Sequence, residues 1–306
     1  MKVVTNGYAY VDIDAYAGCI AYAELLQKQG FEAAAVSVAP LNESISRTVR
    51  SWRAPWQTQY EPSEDDTYIL VDVSDPKFFE KFVAEDRVEE VIDHHPGFES
   101  YWQERLGKKA TIEFIGAACT LVYERWRAAG LLNEMSKDSA RLLVCGILDN
   151  TLNFGAKVTT QRDKDVYDAL VKRADLPDNW TAQYFSECQE AIFSEIVPAV
   201  RNDMKILEFR SYEKPICVGQ LVVWSGEEAL ADYQKVVSET LIAIKPDWMM
   251  NLVSVSEGKS YFVTDNKAVQ NWLTELLEVT FEGSVAVADR LWLRKEIIKA
   301  DIENKA

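Results

Sequence analysis

The chain has 306 residues, a net charge of −16, and hydrophobic (48%) and charged (27%) fractions typical of a folded protein. That length suffices for two domains with separate cores. No apolar stretch reaches the roughly 18 residues of a membrane-spanning helix, and the N-terminus lacks the apolar core of a signal peptide. We therefore expect a cytoplasmic protein with no membrane partner. The acidic charge argues against a nucleic-acid polymer as partner, because phosphate backbones are bound mainly by Lys and Arg.

Short apolar runs alternate with helical patterns over the first two-thirds of the chain. The pattern predicts strands at 2–5, 33–38, 68–72 and 88–93, and helices at 15–29, 43–52, 77–85, 117–129, 137–148 and 161–174. Because the apolar runs are continuous rather than alternating, we expect an α/β fold. Its N-terminal, mainly parallel sheet should be covered by helices on both faces. The five scattered cysteines lack C-x-x-C spacing, and the four that lie in apolar stretches are expected to be reduced core residues.

A different order of strand and helix patterns begins near residue 195, around the end of a helical pattern at 181–197. Beyond it we predict strands at 204–209, 215–223, 248–255 and 260–264, and helices at 227–244 and 267–277. These elements indicate a smaller C-terminal α/β domain with a mixed sheet. The predicted domains are therefore residues 1–195 and 196–306.

Carboxylates stand where several predicted core elements end. Asp72 and Asp93 close two apolar strands, and ligands of parallel sheets bind outside the carboxyl ends of the strands. Asp12 and Asp14 precede a helix; N-capping would account for Asp14 and leaves Asp12 unexplained. Asp149 ends an apolar stretch, where an ionised carboxylate is costly unless it is paired or binds a metal. A turn-starting Asp72 and a helix-terminal Asp149 that reaches water are the simpler alternatives.

The only two histidines, His94 and His95, directly follow Asp93. Histidine is a common metal ligand and a proton donor near neutral pH, although a His pair on a solvated loop is an alternative. One imidazole and four carboxylates would form an oxygen-rich site that suits Mn²⁺ or Mg²⁺. Those carboxylates belong to Asp12, Asp14, Asp72 and Asp149. One or two such ions can activate a water and neutralise phosphoryl oxygens, which indicates metal-assisted hydrolysis of a phosphorus substrate.

Four motifs resemble, in order and spacing, those of the DHH phosphoesterase superfamily. They are Asp12-Ile13-Asp14, Leu70-Val71-Asp72, Val91-Ile92-Asp93-His94-His95 and Ile147-Leu148-Asp149-Asn150-Thr151. Residues 116–120 resemble the family's small-residue loop. The C-terminal half resembles the DHHA2-type domain of manganese-dependent (family II) inorganic pyrophosphatases and exopolyphosphatases. The matching segments are Asp203-Met204-Lys205 and Leu293-Arg294-Lys295-Glu296. The family's Gly-Gly-Gly-His motif is missing, which weighs against a nuclease.

The resemblance implies a role for each matching position. The ligands of one metal ion would be Asp14, Asp72, His94 and Asp149. Asp72 would bridge to a second ion, which Asp12 would also bind. His95 would donate a proton or bind phosphate, and Asp93 would orient the His pair. The residues that grip the substrate phosphate would be Lys205, Arg294 and Lys295. Solvated surface cations are the alternative for these three.

Several positions depart from the family's pattern. Tyr8 and Val73 stand where the pyrophosphatases carry histidines, Tyr10 replaces an Asn, and Leu293 replaces a Ser. The loss of imidazole ligands leaves open whether one or two ions bind and whether Mn²⁺ is preferred to Mg²⁺. The role of Tyr8 is also left open.

The function that the resemblance implies is that of a metal-dependent phosphohydrolase acting on a small phosphate-containing substrate. It would cleave a phosphoanhydride bond, in pyrophosphate or polyphosphate, by metal-activated water at a cleft between the domains. Domain closure would bring the phosphate-binding cations to the metal. The alternatives are a phosphodiesterase or phosphatase acting on a small nucleotide, and a non-catalytic metal- or phosphate-binding protein. A homodimer is left open.

Overall fold

A computed structural model of the chain describes residues 1–303, which fold into two compact units. The first unit comprises residues 1–184, and the second begins at residue 185. The division falls inside the helix Trp180–Ser194. The predicted boundary at residue 195 lies just beyond the end of that helix.

The first unit alternates strands and helices around a parallel sheet. Its strands are β1 (Lys2–Thr5), β2 (Ala33–Ala35), β3 (Thr67–Val71), β4 (Val88–Asp93) and β5 (Ala110–Ile112). Its helices are α1 (Ile13–Lys28), α2 (Arg47–Ser51), α3 (Glu99–Leu106), α4 (Ala118–Ala128), α5 (Lys137–Asn150) and α6 (Gln161–Ala174), followed by the start of α7 (Trp180–Ser194). The strand order is β2-β1-β3-β4-β5, and every neighbouring pair is parallel. The predicted α/β class is confirmed.

The sheet of the first unit is covered on both faces. One face packs into a core that includes Val3, Leu70 and Trp102. Because successive strand residues point to opposite faces, Val71 faces the other side. There a Cβ placed on Gly18 of α1 would lie 2.7 Å from Val71 Cγ1, so this helix lies directly on the sheet.

Helices α1, α4 and α5 cross closely because α5 has a glycine at the crossing. A Cβ on Gly146 would lie 2.5 Å from Cys119 Sγ of α4 and 3.2 Å from Asp14 Oδ1 of α1. Any larger residue would push α5 away from both neighbours. Gly146 therefore sets the distance between the predicted site residues on α1 and those at the end of α5.

The helix predicted at 77–85 is wrong. Pro76–Phe78 and Glu85–Arg87 form short 3₁₀ turns, and Phe79 is extended. The buried Glu80 carboxylate accepts hydrogen bonds from the Ser37 hydroxyl (2.5 Å) and the Val38 amide (2.9 Å). These bonds tie the segment to the loop after β2 in place of helical bonds. Helix α3 and the three-residue edge strand β5 had no predicted counterpart.

The second unit contains a mixed sheet. Its strands are β6 (Lys205–Leu207), β7 (Ile216–Val223), β8 (Trp248–Ser254), β9 (Lys259–Val263), β10 (Phe281–Glu282) and β11 (Val285–Ala288). Its helices after α7 are α8 (Ile196–Asp203), α9 (Gly226–Ile242), α10 (Lys267–Leu277) and α11 (Arg294–Glu303). The order is β10-β11-β9-β8-β7-β6; β7 and β8 are parallel, and the other neighbouring pairs are antiparallel. The predicted mixed sheet is confirmed, with β10, β11 and the helices α8 and α11 in addition.

Burial agrees with the expectation for the cysteines, because all five are buried thiols. Within residues 1–303, no helix combines the length and apolar character that crossing a membrane requires.

We expect Gly146→Ala to lower the free energy of unfolding by about 1–3 kcal/mol, because the new methyl group overpacks the crossing of α1, α4 and α5. Removing the Cys119 sulfur should make room. Gly146→Ala/Cys119→Ala should then be more stable than the sum of the two single changes predicts. Urea denaturation of the four proteins gives the comparison, and strictly additive losses would show that Cys119 is not the obstacle.

Candidate metal centre

The carboxyl ends of three neighbouring strands meet at one edge of the first sheet. β1, β3 and β4 are parallel and adjacent. Asp72 follows β3, Asp93 is the last residue of β4, and the loop after β1 leads to Asp12. These acids therefore lie at the edge where the strand pattern predicts them.

Asp12 is the N-cap of α1, and its Oδ1 accepts a 3.0 Å hydrogen bond from the Ala15 amide. The capping role considered for Asp14 is therefore wrong. Asp14 instead lies fully buried in the first helical turn.

The Asp14 carboxylate joins three helices. Its oxygens accept hydrogen bonds from the amides of Ala118 (2.7 Å) and Cys119 (2.8 Å) at the start of α4. The Asn150 side chain, at the end of α5, also donates to it. The N-cap of α4, Ala117, has no capping side chain, so Asp14 takes that function and faces the positive end of the helix dipole.

Asp72 has a backbone conformation that is uncommon for residues other than glycine, with a φ of 63°. Its amide donates a 2.9 Å hydrogen bond to the Ile92 carbonyl. Its Oδ1 is buried and accepts no well-aligned hydrogen bond, although His94 Nε2 lies 3.2 Å away and His95 Nδ1 lies 3.7 Å away. Such an oxygen is costly to bury, and a bound cation would satisfy it.

His94 is oriented by a backbone carbonyl. Its Nδ1 lies 2.9 Å from the carbonyl oxygen of Ile115, which fixes the proton on that nitrogen in the neutral ring. Its Nε2 then directs a lone pair towards Asp72 (3.2 Å) and Asp14 (3.8 Å). This is the arrangement in which imidazole binds metals.

His95 is oriented by Asp93. Asp93 Oδ1 lies 2.9 Å from His95 Nδ1 and accepts hydrogen bonds from the amides of His94 (2.7 Å) and His95 (3.2 Å). The His95 side chain is 61% exposed, whereas Asp93 is buried. Asp93 thus positions both histidines, and His95 is the more accessible of the two.

Asp149 lies near the end of α5 and accepts a 3.0 Å hydrogen bond from the Tyr184 hydroxyl. The chain beyond it makes a left-handed turn, in which Leu152, Asn153 and Phe154 have φ values of 49°, 53° and 65°. Three successive residues in this region carry a conformational cost. The turn redirects the chain directly after Asp149.

The buried carboxylates raise one another's pKa. Burial and the charge of Asp72 raise the pKa of Asp14 to about 6, and burial and the charge of Asp12 raise the pKa of Asp149 to about 7. Burial opposes protonation of His94, but the nearby charge of Asp72 raises its pKa to about 10, so in the metal-free protein Nε2 carries a proton that a bound cation would displace. The centre therefore concentrates negative charge that a divalent cation would neutralise.

The donor set fits a hard or borderline cation. Asp72, His94 and His95 offer ligand atoms that lie within 4.8 Å of one another. Asp14 lies beside His94, and the charges of Asp12 and Asp14 act on Asp149. Carboxylate oxygens with an imidazole nitrogen suit Mn²⁺ or Mg²⁺. Asp72, His94 and His95 thus form one compact group of possible ligands, with Asp14 beside it, and His95 is an additional candidate. That Asp12 and Asp149 belong to the same ligand set stays a prediction.

The two positions that depart from the family's histidines lie next to this cluster in sequence. Tyr8 is exposed and its amide donates a 2.9 Å hydrogen bond to the Phe78 carbonyl, while Val73 is buried. Neither supplies an imidazole, so His94 and His95 carry all of the imidazole nitrogen in the chain.

The three cations predicted to bind phosphate lie in the second unit. The Arg294 guanidinium forms a two-point ion pair with the Asp203 carboxylate, at 3.0 and 3.2 Å. The Arg294 amide also donates to the Gln220 side chain (2.6 Å). Lys205, at the start of β6, and Lys295, in α11, are exposed. Arg294 is therefore held by an acid, whereas the two lysines lie at the surface of this unit.

Three side chains that support the centre were not singled out from the sequence. Asn150 lies within the fourth motif, next to Asp149. Tyr184 is 35 residues from Asp149, so no local pattern could indicate it. Asp163 is fully buried and accepts hydrogen bonds from the Gly116 amide (3.1 Å) and the Thr120 hydroxyl (2.6 Å), which fixes the small-residue loop before α4.

The first unit thus has the features of a metal-binding α/β domain: a parallel sheet, with clustered carboxylates and a His pair at its carboxyl edge. Residues 2–147 match the family model described as the DHH family, N-terminal domain. This segment is therefore similar to the DHH-family N-terminal domain; it contains Asp12, Asp14, Asp72, Asp93, His94 and His95, whereas Asp149 lies just beyond it.

Relatives in sequence include proteins named manganese-dependent inorganic pyrophosphatases. One, from Bacillus licheniformis, is 29% identical over 164 residues, which cover 53% of this chain and 52% of that protein. Another, from Deinococcus radiodurans, is 25% identical over 316 residues and 95% of each chain. The chain thus spans about half the length of the first relative and nearly all of the second.

Solved structures resemble this chain over almost its whole length. A Methanococcus jannaschii protein assigned to the family II inorganic pyrophosphatases has a TM-score of 0.65 at 18% identity, covering 99% of this chain and 100% of that one. An exopolyphosphatase-related protein from Bacteroides fragilis has a TM-score of 0.54 at 14% identity, covering 98% and 89%. At these identities the likeness is one of fold.

Asp149→Asn should weaken Mn²⁺ binding about tenfold or more, while the metal-free protein remains at least as stable as wild type. The change removes one charge from a cluster of buried carboxylates and keeps an oxygen for the Tyr184 hydroxyl. Calorimetry measures the affinity, and thermal unfolding without metal measures the stability. Asp168→Asn, at an exposed position of α6, is the matched control. Unchanged Mn²⁺ affinity in Asp149→Asn would remove Asp149 from the ligand set.

Proposed function

We propose that this chain is a metal-dependent phosphohydrolase that cleaves the phosphoanhydride bond of inorganic pyrophosphate or polyphosphate. The observation that carries the proposal is the buried Asp72 Oδ1, which lacks a well-aligned hydrogen bond and lies 3.2 Å from His94 Nε2. Relatives named manganese-dependent inorganic pyrophosphatases support both the metal and the reaction.

Mn²⁺ is the proposed ion, with Mg²⁺ as the substitute. The proposed ligands of the first ion are Asp14, Asp72, His94 and Asp149. Asp12 would serve a second ion that shares Asp72. When bound, the metal would activate a water and neutralise charge on the phosphoryl oxygens. The α4 amides hold Asp14 and the Ile115 carbonyl fixes the His94 ring, so these ligands are oriented in advance.

His95 is the proposed proton donor to the leaving phosphate oxygen. Its Nδ1 is engaged by Asp93, so Nε2 is the atom that can reach a substrate. Asp93 accepts three hydrogen bonds from the His94–His95 segment, and this limits the directions that the exposed ring can adopt. General acid catalysis requires such a fixed donor near the leaving group.

The second unit is proposed to be a DHHA2-type domain whose cations bind the substrate phosphate. Lys205 and Lys295 are exposed, and Arg294 is aligned by the two-point contact with Asp203. A guanidinium suits planar contact with phosphate, and an ammonium acts as a point charge. These local cations would offset the net charge of −16, which otherwise repels a phosphorylated substrate.

A non-catalytic metal-binding protein is the second candidate, and Tyr8 and Val73 are the residues that favour it, because both replace imidazoles. A phosphatase or phosphodiesterase for a small nucleotide is the third. All three candidate functions use the same metal centre. They differ in whether a substrate is hydrolysed and in which substrate that is.

With Mn²⁺ added, the protein should release phosphate from pyrophosphate or polyphosphate. A chelator should abolish the release, and Mn²⁺ should restore it, because the ion supplies the activated water. Colorimetric phosphate assays on both substrates and on a nucleotide panel give the measurement. Bound Mn²⁺ without turnover of any substrate would favour the non-catalytic protein.

His95→Gln should lower turnover about 10²- to 10⁴-fold, the usual contribution of a general acid, and leave Mn²⁺ affinity within about twofold of wild type. Steady-state kinetics and calorimetry on the same preparation separate the two effects. A matching fall in Mn²⁺ affinity would instead assign His95 to the metal.

A further inference from the structure

Two exposed aromatic side chains, Tyr8 in the loop between β1 and Asp12 and Phe78 in the segment that contacts this loop, lie close together. Tyr8 is 49% exposed and Phe78 is 51% exposed. Tyr10, in the same loop, is also exposed. Pyrophosphate and polyphosphate present no apolar surface for these rings to cover. The role of the rings is therefore not explained by a purely inorganic substrate.

Backbone contacts join the two segments that carry these rings. The Tyr8 amide donates a 2.9 Å hydrogen bond to the Phe78 carbonyl, and Gly7 forms a bridge with Phe79. A Cβ on Gly7 would lie 3.2 Å from the Phe78 carbonyl oxygen and 3.7 Å from Val73 Cγ2. Val73 directly follows Asp72, so Gly7, the residue before Tyr8, lies against the segment that carries this carboxylate.

The two rings form one surface. Their planes are inclined by 26° and their centroids are 6.4 Å apart, a loose offset stack. Aromatic side chains accept any nucleobase by stacking, because every base has a π-face. A metal centre that binds phosphate next to such a surface matches a ligand with both groups.

We propose that Tyr8 and Phe78 form a subsite for the base of a nucleoside phosphate whose phosphate lies at the carboxylate centre. The inference rests on the proposed function and extends its substrate range to nucleoside diphosphates. Water would form a bond to the terminal phosphorus, and the bridging P–O bond would break. The products are nucleoside monophosphate and inorganic phosphate, and the proton of the water passes to solvent.

Equilibrium binding tests the subsite on the full chain with Mn²⁺, with adenosine monophosphate and inorganic phosphate as probes. The monophosphate should bind more tightly, and Tyr8→Ala should lower the ratio of the two affinities about 5- to 100-fold. Tyr8→Phe should keep the ratio within about twofold. Phe31→Ala is the matched control, because Phe31 is 49% exposed and lies over the Lys2 ammonium, at the start of β1.

Equal affinities for the two probes in the wild type, or an unchanged ratio in Tyr8→Ala, would overturn the subsite. The subsite would also be overturned if only Phe114→Ala removed the preference for adenosine monophosphate over inorganic phosphate. That result would place the base on the exposed Phe114 ring, beyond β5. Manganese-dependent hydrolysis of pyrophosphate is measured alongside. Pyrophosphate hydrolysis together with equal affinities for the two probes rejects the subsite and leaves the proposed function. Tyr8-dependent binding without hydrolysis of pyrophosphate or adenosine diphosphate rejects the proposed function and leaves the base-binding subsite.

Discussion

The buried charge of Asp14 is the constraint on which the first unit depends. A fully buried carboxylate is costly unless donors surround it, and here the donors come from the first turn of α4 and from Asn150 at the end of α5. Gly146 lets α5 approach closely enough for this, since a Cβ would meet Asp14 Oδ1 at 3.2 Å. The close approach of α1, α4 and α5 is what satisfies this one group.

The strand ends could be predicted because continuous apolar runs stop at acids, as in the runs closed by Asp72 and Asp93. Parallel topology then brings those ends together without further information. The segment 77–85 shows where local pattern fails. Its helical spacing is genuine, but the buried Glu80 carboxylate bonds to Ser37 and Val38, more than forty residues earlier in the chain. Such tertiary partners override propensity and leave no local signal.

Within the metal centre, residue types could be predicted better than their individual functions. The sequence places Asp12 and Asp14 together at a helix start, and only the backbone shows that Asp12 caps α1 while Asp14 is buried in its first turn. Contacts between residues distant in the chain could not be predicted from the sequence. The Arg294–Asp203 pair joins residues 91 apart in sequence, and Tyr184 reaches Asp149 from another helix. A sequence pattern shows which side chains occur. It does not show which residue, distant in the chain, forms a hydrogen bond or ion pair with each of them.

The left-handed backbone of Asp72 has a consequence for how this position can vary. Gly, Asn and Asp adopt a φ of 63° at the least cost, so the backbone at this position favours these three residues. Among them Asp alone supplies a carboxylate. Position 72 therefore meets two separate requirements, a left-handed backbone and a negatively charged side chain. A descendant of this chain that had lost its cation would be expected to carry Asn or Gly at position 72, and such a replacement would reveal the lost function while the fold persisted.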